Sequence, residues 1–144
     1  PIALTVVGTE YQLTNNGLGA NTLTTYRLPA LTDIFNTSTN YFQFAGLEVG
    51  DTIDIRADIE IVTTNANTVI DTVMELGIGG TAYKLTVDRQ YFKSTGTHKV
   101  VFSFPFYLGN TNTRDNPARL LMTSDTLGAS VKINGWFVRA ITNG

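Results

Sequence analysis

Asp51 to Thr64, DTIDIRADIEIVTT, constrains this chain more than any other stretch. Ile53, Ile55, Ala57, Ile59 and Ile61 share one parity, and Thr52, Asp54, Arg56, Asp58 and Glu60 share the other. In an extended backbone successive side chains point to opposite faces, so this alternation buries one face and wets the other. At helical spacing the same isoleucines would spread around the cylinder. The stretch therefore predicts a long antiparallel strand, and its apolar face requires a second layer to cover it.

The remainder of the chain supplies candidates for that layer. Val100, Phe102, Phe104 and Phe106 alternate within Gly96 to Leu108, and Ile70, Met74, Leu76 and Ile78 alternate within Val69 to Ile78. Shorter strands are predicted at Ile2 to Val7, Tyr11 to Thr14, Leu23 to Leu28, Tyr41 to Phe44, Tyr83 to Val87, Arg89 to Lys93 and Arg119 to Ser124. A final long strand runs from Ala129 to Thr142. There Val131 and Ile133 fall on one parity and Trp136 and Val138 on the other, so Asn134-Gly135 predicts a bulge that switches faces. Asp33-Ile34-Phe35 reads as a helical turn, and Gly109 to Pro117, GNTNTRDNP, as the most loop-like segment. Glycines 77, 79 and 80 predict a bulge or a close backbone approach.

Composition agrees. Charged residues make up only 15%, while 23 threonines and 12 asparagines carry the polarity. Threonine suits strands through its branched Cβ, and asparagine suits turns. The 144 residues match one domain, so residues 1–144 are expected to form a single all-β unit, an antiparallel two-sheet jelly-roll-like sandwich. Pro1 fits either a trimmed methionine or a fragment boundary. No basic segment followed by an apolar one opens the chain, and the longest apolar run is too short to span a bilayer; neither a signal peptide nor membrane insertion is expected. A net charge of -2 gives no basic footprint for nucleic acid. Without cysteine, disulfides and thiolate chemistry are excluded, although the compartment is left open.

No constellation announces a reaction. His98 is the only histidine, and Ser94 lies four residues upstream of it without an evident orienting carboxylate. Asp54, Asp58 and Glu60 share a face with Arg56 between them; glycosidic acid–base pairs need about 5–10 Å, which i and i+2 on a strand approach. Ordinary solvated charge is the expected reading, and neither a metal nor a cofactor is expected. Asn36-Thr37-Ser38 fits the N-glycosylation acceptor pattern. Gly77 to Gly80 does not precede a predicted helix, so a phosphate cradle fails on context. Tyr41, Phe42, Phe44, Tyr91, Phe92, Tyr107 and Trp136 could stack on sugars, but most are expected in the core or between subunits. The candidate ligand-binding residues are Asn110, Asn112, Arg114 and Asp115 in the GNTNTRDNP loop, together with Trp136.

Val101, Ser103, Pro105 and Tyr107 form the second face of the phenylalanine strand, and that face lacks the charge of a sheet facing water. Pro105 has no N–H and belongs at an edge or a bulge. Val101, Ser103 and Tyr107 are therefore expected at a subunit interface.

The run F-x-F-x-G-L-x-x-G-D-T-I from Phe42 to Ile53, the strand GTHKVVFSF from Gly96 and the closing VKINGWFVRAI from Val131 resemble the terminal head domains of tailed-phage fibres and tailspikes. The resemblance is one of strand texture over about two-thirds of the chain rather than of diagnostic motifs. It implies a homotrimeric, non-enzymatic head on a virion that recognises a bacterial surface polysaccharide or protein, and it transfers no binding residue. A capsid decoration or head-fibre protein is similar at this level. A carbohydrate-binding module and a small polysaccharide-degrading enzyme are the readings from other classes.

Overall fold

The computed structural model describes residues 1–17 and 33–143. Its strands are β1 (Ile2–Leu4), β2 (Tyr11–Gln12), β3 (Phe35–Asn36), β4 (Tyr41–Phe42), β5 (Thr52–Thr63), β6 (Thr68–Leu76), β7 (Tyr83–Phe92), β8 (Gly96–Tyr107), β9 (Arg119–Ser124) and β10 (Ala129–Ile141), with a short helix α1 (Thr111–Asp115). The first sheet has the order β1-β10-β5-β8 and the second β2-β9-β6-β7; all pairs are antiparallel. The chain passes from one of these sheets to the other at β1–β2, between β2 and β5, and at β5–β6, β7–β8, β8–β9 and β9–β10. Eight strands in this order make a jelly-roll sandwich, as the alternation predicts.

β5 is central because its burial is complete. Ile53, Ile55, Ala57, Ile59 and Ile61 have no exposed surface, while the intervening residues face outward. They share one core with Ile70, Met74 and Leu76 of β6 and with Leu120 and Met122 of β9. Each fully buried isoleucine contributes about 1.5–3 kcal/mol of transfer free energy. Phe102, Phe104 and Phe106 lie beside β5 in the same layer, with Phe104 opposite Ile55 and Phe106 opposite Ile53. Their rings stack along the strand with centroids 6.1 and 6.2 Å apart. β8 is a terminal strand of its sheet, which explains how it accommodates Pro105.

The face switch in β10 lies where the sequence places it. Ile133 pairs with Ile59 and Gly135 with Asp58, leaving Asn134 as the additional residue. Trp136, Val138 and Ala140 consequently face inward, opposite Ala57, Ile55 and Ile53. A second bulge joins what reads in the sequence as two strands around Asp88. Thr72 pairs with Asp88 and Val73 with Thr86, so Val87 is the extra residue within one continuous β7.

Two local expectations need correction. Asp33-Ile34-Phe35 is not a helical turn, because Phe35 and Asn36 pair with Phe42 and Tyr41. The Asn36 carboxamide oxygen closes that hairpin by accepting from the N–H groups of Ser38 (2.9 Å) and Thr39 (3.2 Å), with Asn40 at φ +58°. Residues 109–117 are not a plain loop, since they contain α1, whose first turn is capped by Asn110. The strand expected at Leu23 to Leu28 lies outside the described residues.

Candidate functional site

The register of β8, β5 and β10 assembles a surface on the outside of the first sheet. Residues paired across antiparallel strands share a face, so it reads as successive rows. Tyr107, Thr52 and Ile141 form the first row, and Pro105, Asp54 and Arg139 the second. Ser103, Arg56 and Phe137 form the third, followed by Val101, Asp58 and Gly135. Tyr107 is 66% exposed, Phe137 57%, Val101 53% and Ile141 45%. Four large apolar side chains are open to water on this sheet face, two on β8 and two on β10, flanking the polar Thr52, Asp54, Arg56 and Asp58 of β5.

The charges on this face are arranged unequally. Arg139 donates to Asp54 at 2.9 Å. Arg56, in the middle row between Ser103 and Phe137, has no carboxylate within ion-pair distance among the described residues. The outer face of the second sheet is different, because there the charges neutralise one another across strands. Arg119 pairs with Glu75 (2.6 Å), Arg89 with Asp71 (2.6 Å) and Lys84 with Glu10 (2.5 Å). The Arg89 guanidinium holds the Asp71 carboxyl below the usual carboxylate range, against the opposing effect of partial burial.

The structure therefore brings together the expected interface residues Val101, Ser103 and Tyr107. It adds Phe137 and Ile141, which sequence reasoning missed. The signal was available: the bulge that turns Trp136 and Val138 inward necessarily turns Phe137 and Ile141 outward.

The expected ligand residues are placed differently. Asn110 Oδ1 accepts from the Thr113 N–H (2.9 Å) and from the Thr113 hydroxyl (3.1 Å). Asn112 is held at both ends by the Thr81 backbone, accepting from its N–H and donating to its carbonyl at 2.9 Å each. Asn110 thus caps α1, and the Asn112 amide fastens it to Thr81 at the end of the Gly77–Gly80 turn, the close approach that the glycines predict. A Cβ at Gly80 would collide with the side chains of Asn112 and Asn116. Arg114 and Asp115 bind each other at 2.6 Å, which keeps the exposed Asp115 carboxyl below its ordinary range. Trp136 is not on this segment; it lies on the inner side of β10 against Phe35 and Phe42, with centroids 5.9 and 5.6 Å away. Among the described residues no hydrogen-bond acceptor meets its buried indole N–H. Of the other aromatics, Phe42, Phe44 and Phe92 are buried, whereas Tyr91 and Tyr107 are exposed.

The reactive-group candidates are equally well defined. The Thr63 hydroxyl donates to the Ser94 carbonyl (3.1 Å) and so accepts from His98 Nε2 (3.1 Å), while the imidazole packs on Phe92 with centroids 4.4 Å apart. Ser94 thus meets this group through its carbonyl. Asp58 and Glu60 stand about 7 Å apart along β5, by strand rise, on an open sheet face. Among the described residues no three acidic or imidazole side chains converge as metal ligands, and no helix is long and apolar enough to cross a membrane.

No protein-family model matches the chain, and no curated protein sequence matches it. A solved structure similar to it is the CBM22-1 xylan-binding domain from Paenibacillus barcinonensis Xyn10C, at 12% identity and a TM-score of 0.45, with 68% of this chain covered. The chain spans 60% of the length of that domain. A likeness at this level assigns the chain neither a family nor a ligand.

Proposed function

We propose that this jelly roll is the non-enzymatic receptor-binding head of a viral fibre. It assembles as a homotrimer through the outer face of the first sheet and recognises a bacterial surface polysaccharide or protein from the virion. The observation that carries this reading is the cluster of Val101, Pro105, Tyr107, Phe137 and Ile141 on one outer face, opposite a second sheet whose outer charges are paired. A subunit interface needs such an apolar centre within a polar rim. The strand texture shared with phage fibre heads supports the viral assignment. Light scattering on the purified chain tests it: a stable mass three times 15.7 kDa is expected, and a 15.7 kDa species at micromolar concentration refutes the assembly.

The non-enzymatic part rests on where the carboxylates sit. Asp54 is taken up by Arg139, and Asp58 and Glu60 stand on an open face without a cleft partner. Replacing Asp58 with Asn leaves any depolymerase activity of the preparation unchanged if this is right, and abolishes it if Asp58 is the catalytic acid.

A carbohydrate-binding module is the second reading, and one observation favours it. Tyr107 and Phe137 lie on the same exposed face with Arg56 and the Asp54–Arg139 pair nearby, so flat apolar rings and hydroxyl-binding groups coexist there. This reading predicts a monomer whose glycan affinity falls with Tyr107→Ala or Phe137→Ala.

A further inference from the structure

The mouth of the sandwich between β7 and β8 presents a second surface with unusual composition. Residues of β7 that pair with the buried positions of β6 must point into the sandwich: Tyr83 opposite Leu76, Leu85 opposite Met74, Asp88 opposite Thr72 and Gln90 opposite Ile70. Yet Tyr83 is 38% and Leu85 40% exposed, although their partners Leu76 and Met74 are fully buried. Across the mouth, Phe102, Phe104 and Phe106 retain a little exposure, whereas the isoleucines beside them on β5 have none. The two sheets thus leave apolar side chains uncovered along the β7–β8 edge. Asp88 sits among them. Its carboxylate accepts from the Gln90 amide at 3.0 and 3.1 Å, and no cation pairs with it among the described residues.

The first sheet's outer face carries the complementary arrangement, in which an unpaired cation, Arg56, is bordered by exposed Phe137, Val101 and Tyr107. Pro105 lacks an N–H and so blunts strand addition along β8. Side-chain packing can join these surfaces. Within one subunit Arg56 and Asp88 cannot meet, since one points away from the first sheet and the other toward the interior from the second.

Resting on the trimer reading above, in which every contact is heterologous by symmetry, we propose which two patches meet. The outer face of the first sheet packs against the β7–β8 mouth of the next copy, with Arg56 of one subunit paired to Asp88 of its neighbour. Two different patches, one donating and one receiving, close into a ring when the rotation permits. The pairing supplies register: the apolar residues on both patches are shielded from water together, and Arg56, which makes no ion pair among the described residues of its own subunit, meets Asp88, which has none there either.

Charge exchange in the full chain tests this. Arg56→Glu and Asp88→Arg are each expected to weaken self-association, measured by sedimentation equilibrium, by about tenfold or more, and the double exchange to restore it. Asp88→Asn, which keeps the contact with Gln90, is expected to weaken association as well. The chain has no cysteine, so mixing Arg56→Cys with Asp88→Cys chains gives a second readout. Oxidation should yield a cross-linked pair containing one of each variant, and neither variant alone should cross-link. A trimer indifferent to the single exchanges, or a mixture that does not cross-link, overturns this contact and leaves the trimer reading standing. A monomeric native chain overturns both.

Discussion

Asp51 shows what a single side chain does in this sandwich. It is buried at the entrance to β5, where one carboxylate oxygen accepts from the Glu48 N–H (2.9 Å) and the other from the Asn143 N–H (3.1 Å). It therefore ties the turn before the central strand to the residues after the last one. Asp51→Ala leaves two donors without their acceptor and should cost about 1–3 kcal/mol in urea unfolding. Ile59→Ala, which opens a cavity at the centre of the core, should cost about 2–5 kcal/mol in the same assay. Acid sensitivity belongs to this scale too. Because Arg89 depresses the Asp71 pKa in the folded state, the pair's contribution is complete above the ordinary aspartate value. It is lost as pH falls through the depressed folded value. An Asp71→Asn variant should therefore be less stable than the native chain at pH 7 and converge with it at low pH; a constant difference at every pH contradicts the assignment.

At the scale of elements, the two bulges decide which side chains the surface receives. Removing Asn134 would restore plain alternation in β10, turning Trp136, Val138 and Ala140 outward and Phe137 and Ile141 inward. Such a deletion should abolish cooperative unfolding and the near-ultraviolet circular dichroism of the partly buried Trp136; native-like signals would show that the register is set elsewhere. Gly80→Ala should cost about 1–3 kcal/mol, because its Cβ meets the amides that hold α1. β5, β6, β8 and the β10 bulge were legible in the sequence because alternation is a local property of one strand. The hairpin at Phe35–Phe42 was less so, since its short strands depend on turn hydrogen bonds from Asn36 that no periodicity announces. The structural roles of Asn110 and Asn112 were not legible for a related reason. Polar residues that cap a helix or grip a neighbouring turn look in the sequence like residues free to bind a ligand. Phe137 was missed although the bulge was legible, because the face switch was followed for Trp136 and Val138 and not for the residues between and after them.

The whole molecule is asymmetric: the second sheet presents charges paired across its strands, and the first presents exposed aromatic and aliphatic side chains around an unpaired arginine. Surface ion pairs of the former kind add little to stability, but they satisfy the charges of that face in water. Among the described residues the apolar face has no comparable compensation. The measurement that tests this most directly is the solution mass of the native chain across a micromolar concentration series, repeated with Tyr107→Lys and Phe137→Lys together. The account predicts a native mass three times that of the chain and a folded monomer for the double variant. A native chain that stays at 15.7 kDa throughout would contradict it.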